Sequence, residues 1–421
     1  MKVHRAVLSL CVPATMATAA CVEPVDGEAS LAAASEPLTT SEVIQKPSIA
    51  SIDTARVWNW ITVAGTRCGQ SDAPTGIVVN RASTTAAPTG LVIYLSGGGA
   101  CWNAATCLAG LAKNMDGFGP ADWDAVQTTE EGTEPAPSYF SRNPGDPFEN
   151  YDMVFVSYCT GDLHAGARST LTTVSPPVVF AGNDNYKAML AEVAKFYTPT
   201  LMKGKRVLLA GSSAGGFGAT WHFERTVDTF NPSRPSITTP VDLLVDSAPP
   251  FGADVLTPTQ YGMWNAAWKL GSVVYRPSVG IRHDAIFDNA VRTFSGSRFA
   301  VQTSVSDIPV RIFAGTGQPV ENLEGGMLQE EIFQDGLANL YARMPTAANL
   351  NMFFVDGLGA DESSDGVDYQ TFHAFWQTSP ANTDVRVSGT AYDGTLRHSD
   401  WVRGLLKVPG YSWADAIPSW L

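Results

Sequence analysis

The sequence predicts an α/β fold, a mostly parallel sheet with helices on both faces. Three observations carry this. Six short runs are apolar, β-branched and bounded by turn residues, as strands buried on both faces are. Helix-length segments lie between several of them, and strands alternating with helices build parallel sheets. One run leads directly into Gly211-Ser212-Ser213-Ala214-Gly215 and a helical segment, the strand–turn–helix setting that lifts a serine above an α/β-hydrolase-like sheet.

The expected strands are 91–95, 153–157, 206–210, 241–245, 310–313 and 352–355. One helix starts near Asp184 and runs through Tyr186, Met189, Leu190 and Val193. A second follows Ser213, and a third covers about 327–341. The chain has 421 residues, 44% of them hydrophobic, enough for a large core. Length alone admits two or three domains at about 150 residues each. Composition becomes globular near residue 51 and shows no internal repeat or second linker. One domain over 51–421 is therefore expected. Residues 22–50, rich in Ala, Ser, Thr, Glu and Pro, lack periodicity and read as a disordered linker.

Residues 1–21 read as an export signal, with Lys2, His4 and Arg5 ahead of a small, apolar stretch interrupted by Pro13. Thr18-Ala19-Ala20-Cys21 resembles a lipoprotein cleavage site, with Cys21 as the lipid-bearing residue. Plain cleavage after a small residue is the alternative, and Thr18 departs from the lipoprotein pattern. No later segment has 18 uninterrupted apolar residues. Cys11 and Cys21 lie in this leader. Cys68, Cys101, Cys107 and Cys159 remain, and an even number in an exported chain argues for two disulfides, with three pairings open. The Cys-x5-Cys spacing, with no Cys-x2-Cys or His pair beside it, argues against zinc. The net charge is −14, and no block of Lys and Arg stands out. Nucleic acid is therefore not an expected partner.

Ser213 is the candidate nucleophile. Its flanking residues two away must be small, and Gly211 and Gly215 are. The helix beyond it directs its N-terminal dipole at developing negative charge. Ser96-Gly97-Gly98-Gly99-Ala100 follows the first expected strand. Its glycines let the backbone approach a substrate and aim amides inward. Gly98 and Gly99 are the candidate oxyanion donors, together with the amide of Ala214. A phosphate loop is excluded, because no Gly-Lys-Ser/Thr follows. Of the six histidines, His398 is the last and lies beyond the final expected strand, where this fold supplies its base. His373, in an aromatic stretch, reads as a packing residue. No His-Glu-x-x-His occurs, so neither a metal nor another cofactor is expected.

Taken together, these residues resemble the pectin acetylesterase and Notum-like carboxylesterases. Leu95 to Asn103 with Cys107, Tyr158-Cys159-Thr160-Gly161-Asp162, Gly211 to Gly216 and Asp246-Ser247-Ala248-Pro249-Pro250 carry the likeness, with His398 and the closing Trp413-Ala414-Asp415-Ala416 and Trp420. Ala248 stands where the family has glycine. The resemblance implies a Ser-His-acid triad acting on an ester, and disulfides Cys101–Cys107 and Cys68–Cys159. The family places its acid shortly after the strand expected at 310–313, where this chain has Pro319. Glu321 is the expected acid, and Asp246 is held in reserve. Asp356 and Asp361 follow a later strand. The run from Asp356 to Asp368 lacks calcium-loop spacing and reads as an acidic surface loop.

The expected activity is hydrolysis of an O-acyl ester, with acetyl on a polysaccharide such as pectin first and a long-chain acyl ester second. The expected place is outside the cell or on its envelope, tethered only by lipid on Cys21. Two rivals keep the fold: a catalytically weak surface-binding protein and a peptidase. Tyr261, Trp264 and Trp268 could line a sugar or acyl site, but core packing is the preferred reading.

Overall fold

A computed structural model describes residues 43–128, 147–272, 275, 278–344, 347–355, 386–389, 392–411 and 413–418. The leader, Cys21, His373, Asp356, Asp361 and the acidic run up to Asp368, and Trp420 lie outside the described residues.

Among the described residues, nine strands form the central sheet: β1 (Ile44–Gln45), β2 (Trp58–Thr62), β3 (Gly76–Asn80), β4 (Gly90–Leu95), β5 (Asp152–Val156), β6 (Arg206–Ser212), β7 (Val241–Asp246), β8 (Phe299–Ser304) and β9 (Leu350–Val355). Their order is β1-β2-β3-β5-β4-β6-β7-β8-β9. Only β3 runs against its neighbours. Every residue of β4, β5 and β7 is buried, which is why these runs are mostly apolar, with Asp152, Asp242 and Asp246 as the buried exceptions.

Alternate residues of each strand face opposite sides. Ile93, Leu209, Leu243 and Val245 pack with helix α2 (Ala214–Phe230) through Phe223 and Val227, and with α1 (Gly182–Phe196) through Met189 and Val193. Val92, Tyr94, Leu208, Ala210 and Leu244 pack on the other face with Trp401 and Val402. Tyr261, Trp264 and Trp268, on α3 (Pro258–Trp268), are buried core residues, as preferred.

Two expectations need correction. The strand expected at 310–313 lies within a helix, α4 (Ile308–Gly315). Asp307 caps it by accepting from the Val310 amide at 3.0 Å, and a proline fits its first turn. The strand of that region is β8. Gln302, Thr303 and Ser304 disguise it in the sequence, although all three are buried. Secondly, residues 43–50 are ordered rather than part of a linker. Ile44 and Gln45 pair with Asn59 and Trp60, Ile49 is buried, and Val43 N–H donates to Asp124 at 2.9 Å.

Both disulfides are those the resemblance implies. Cys68–Cys159 joins residues 91 apart, and Cys101–Cys107 staples the segment after the glycine loop. In the chain-entropy view the long bridge contributes about 4–5 kcal/mol by constraining the unfolded chain.

Candidate active site

The chain leaves β4 for β5 on one side, then returns past β4 to β6 and moves outward through β7, β8 and β9. The order reverses between β4 and β6, and open α/β sheets bind ligands outside the carboxyl ends of strands at such a point. The glycine loop 96–99 leaves β4 there and Ser213 leaves β6 there.

Ser213 adopts φ 55 and ψ −124, a conformation that costs a non-glycine residue on the order of 1 kcal/mol or more. Neighbours hold it there. Its N–H donates to Asp246 O at 2.9 Å, and Gly216 N–H donates back to Ser213 O at 2.9 Å. A Cβ on Gly211 would meet Gly215 O at 2.2 Å, and one on Gly215 would meet Leu95 O at 1.9 Å. The turn therefore closes tightly enough to press α2 against the end of β4. Ala214, the first residue of α2, has no carbonyl one turn back to take its amide.

Ser213, Ala214, Gly98 and Gly99 line one cavity of about 320 Å³. Leu111, Leu163, Phe217, Val310, Ile312 and Phe313 make most of its wall apolar, and Lys113 and Ser247 also line it. Gly98 and Gly99 sit at φ 137 and 69. Lys113 N–H donates to Gly98 O at 2.9 Å, and Tyr158 Oη–H donates to Gly99 O at 2.9 Å while accepting from Leu163 N–H at 2.8 Å. With both carbonyls held, the orientation of the amide planes is fixed.

His398 is the first residue of the C-terminal helix α5 (His398–Leu405). It is buried, its Nε2 is 2.7 Å from Gln302 Oε1, and its ring packs on Phe353 and Trp401 at 4.9 and 6.2 Å. Burial pushes its pKa down to about 3. Among the described residues it does not line the Ser213 cavity.

The carboxylates differ sharply in setting. Glu321 lies exposed on the single turn Val320–Asn322, where its backbone carbonyl accepts from Gln329. Asp246 is fully buried and accepts from Ser212 Oγ–H at 2.5 Å. Asp307 is fully buried just beyond β8. The structure thus gathers Ser213, Ala214, Gly98 and Gly99 around one cavity, sets His398 two strands away beside β8, and leaves the Glu321 side chain in solvent.

Three comparisons bear on this arrangement. The described fold is similar to the Wnt deacylase Notum from Drosophila, in two crystal forms. The TM-scores are 0.54 and 0.51 at 15% identity, covering 82% and 85% of this chain and 92% and 98% of the solved ones. Residues 63–248, from β3's approach through the serine turn to Ala248, match the Pectinacetylesterase family. This stretch carries the chain's likeness to the pectin acetylesterase and Notum-like carboxylesterases. The palmitoleoyl-protein carboxylesterase notum2 of Xenopus laevis is 30% identical over 135 residues, which are 32% of this chain and 25% of the relative. The human palmitoleoyl-protein carboxylesterase NOTUM is 30% identical over 138 residues, 32% of this chain and 26% of the relative. The aligned part spans about a quarter of these curated relatives.

Tyr158 and Gln302 are not singled out by the sequence pattern. Tyr158 lies in a quoted family motif, so a signal was present, but its link to Gly99 is a contact between residues 59 apart. Gln302 gave no signal, because it lies in the disguised strand. The Gly99 backbone yields a direct prediction. A Cβ there would meet Leu111 O at 1.9 Å, at a φ that L residues avoid. If the Gly99 amide serves a substrate oxyanion, Gly99→Ala is expected to displace it and lower kcat about 10²–10³-fold, measured on a chromogenic ester with folding checked by circular dichroism. Unchanged kcat would remove Gly99 from the oxyanion hole.

Proposed function

We infer that this protein is an exported serine carboxylesterase that cleaves O-acyl esters. The observation that carries the reading is Ser213, held at φ 55 on a strand–helix turn and opening onto the Gly98-Gly99 cavity. Strain of this kind is retained where a side chain must be presented. In the first step Ser213 Oγ attacks the ester carbonyl, and His398 takes its proton. The amides of Gly98, Gly99 and Ala214 hold the oxyanion. The C–O bond to the alcohol then breaks, and His398 returns the proton to the leaving oxygen. Water then attacks the acyl carbon as it gives a proton to the same histidine, the bond to Ser213 Oγ breaks, and His398 returns the proton to Oγ as the acid leaves.

For the orienting acid, Asp307 replaces the expected Glu321 in this reading. It is fully buried beyond β8, and it keeps the order serine, acid, histidine. A buried carboxylate stabilises an imidazolium far better than an exposed one.

The apolar cavity wall favours an acyl group longer than acetyl. Each methylene taken from water contributes about 0.8 kcal/mol, which is about fourfold in kcat/KM. Across acetyl, butyryl, hexanoyl and octanoyl esters of one chromogenic alcohol, kcat/KM is expected to rise stepwise. The second reading, O-acetyl on a polysaccharide such as pectin, draws on the family match over 63–248. A maximum at acetyl, with acetate released from acetylated pectin, would select it. The two disulfides fit an oxidising compartment. A lipid on Cys21 stays a proposal, to be tested by the mass of the mature N-terminal peptide.

A further inference from the structure

His398 and Ser213 are joined by a path that runs across the sheet. Ser213 N–H donates to Asp246 O, and Ser247 N–H donates to Gln302 O at 2.8 Å. Gln302 pairs with Asp246 on one side and with Phe353 on the other. Its side chain, fully buried, meets His398 Nε2 at 2.7 Å. Gln302 Nε2 is buried without a partner, so the amide has one productive contact, and that contact is the histidine. Phe353, the strand partner of Gln302, supplies the ring edge-on to the same imidazole. His398 is thus held by β8 and β9, not by the cavity that Ser213 faces.

We propose that Gln302 is a positioning residue that holds His398 in a resting place off the nucleophile, so that each catalytic cycle requires this hydrogen bond to be exchanged for one to Ser213. The inference rests on the reading of Ser213 and His398 as nucleophile and base. Toward Gln302 Oε1, which only accepts, Nε2 donates its N–H; toward the serine hydroxyl it must accept with a bare lone pair. While Nε2–H is engaged by Gln302 Oε1, it is withheld from the serine hydroxyl, and the exchange moves the ring proton to Nδ1. A neutral hydrogen bond is worth about 0.5–1.5 kcal/mol net, so the resting place can be emptied by a modest change. Removing the amide moves the balance toward the cavity by about 2–10-fold.

The two expected results have opposite signs. Gln302→Leu deletes the acceptor and is expected to raise kcat about 2–10-fold with KM unchanged. Gln302→Glu places a carboxylate against the ring, strengthens the contact through charge, and is expected to lower kcat by at least tenfold. Damage to packing alone would lower both. The full-length protein is assayed on a chromogenic ester, with thermal midpoints measured beside it. A fall in kcat for Gln302→Leu, at a wild-type thermal midpoint, overturns the resting-place role. Should Gln302→Leu unfold early, Gln302→Met, of nearly equal length and without the amide, gives the same reading. Ser213→Ala run in parallel separates the two failures. If it retains wild-type turnover, the esterase reading itself has failed. If it is inactive while Gln302→Leu is slow, only the role of Gln302 has failed.

Discussion

Ser213→Ala is expected to lower kcat/KM on a model ester by about 10³–10⁶-fold, the range that loss of a nucleophile produces in serine hydrolases. The whole effect should lie in the chemistry. Alanine at φ 55 carries the same backbone strain as serine, and the Asp246 and Gly216 contacts use only the backbone of residue 213, so the thermal midpoint should stay put. Ser213→Gly extends the argument. Glycine accepts φ 55 without penalty, so this variant should be more stable than wild type by about 1 kcal/mol while equally inactive. A serine that is costly to keep and needed for turnover is the expected compromise between stability and activity. Equal rates for wild type and Ser213→Ala, both folded, would instead support the surface-binding alternative.

Acid should unfold this protein steeply, and four buried histidines are the reason. Burial pushes His164 down to about 4, and His222, His283 and His398 to about 3, from 6.5. Between pH 6.5 and those values the unfolded chain binds the protons and the native one does not. Each histidine then removes about 1.4 kcal/mol of stability for every unit the pH falls. Asp162 works in the opposite sense. Burial raises its carboxyl to about 6, so its contribution is fully present below 3.8 and is lost as pH rises through 6. Between pH 6 and 4 it cancels about one histidine. The slope left by these five groups, about 4 kcal/mol per pH unit, would exhaust a typical stability of about 5–15 kcal/mol over roughly one to four units, and the raised carboxyls of Asp242, Asp288 and Asp415 make it shallower. His283 gives the sharpest test. Both ring nitrogens are buried without partners, and the ring lies 4.4 Å from that of Phe217 and 5.8 Å from that of Trp221. His283→Phe should therefore gain about 1–3 kcal/mol at neutral pH and reduce acid proton uptake by about one. Urea unfolding between pH 4.5 and 7 measures both. An unchanged slope would mean that His283 is already charged or solvated in the native protein.

The sequence by itself determined the class of fold, the serine turn and the glycine loop. Each depends on residues close in the chain: an apolar run, a Gly-x-Ser-x-Gly step, a helix after it. Five of six expected strands lie where local pattern placed them, because burial on both faces makes these runs predominantly apolar and β-branched. The resemblance, not the local pattern, supplied the disulfide pairing. Tertiary structure decided the rest. Gln302, Thr303 and Ser304 are buried inside β8 because the sheet surrounds them, whereas Val310 to Phe313 became helical because Asp307 and Pro309 start a helix there. That single exchange is why the proposed acid is the buried Asp307 rather than the exposed Glu321. It also set Gln302 beside His398, a contact between residues 96 apart. Local spacing fixes which atoms can do chemistry, and only packing across the sheet fixes which of them meet.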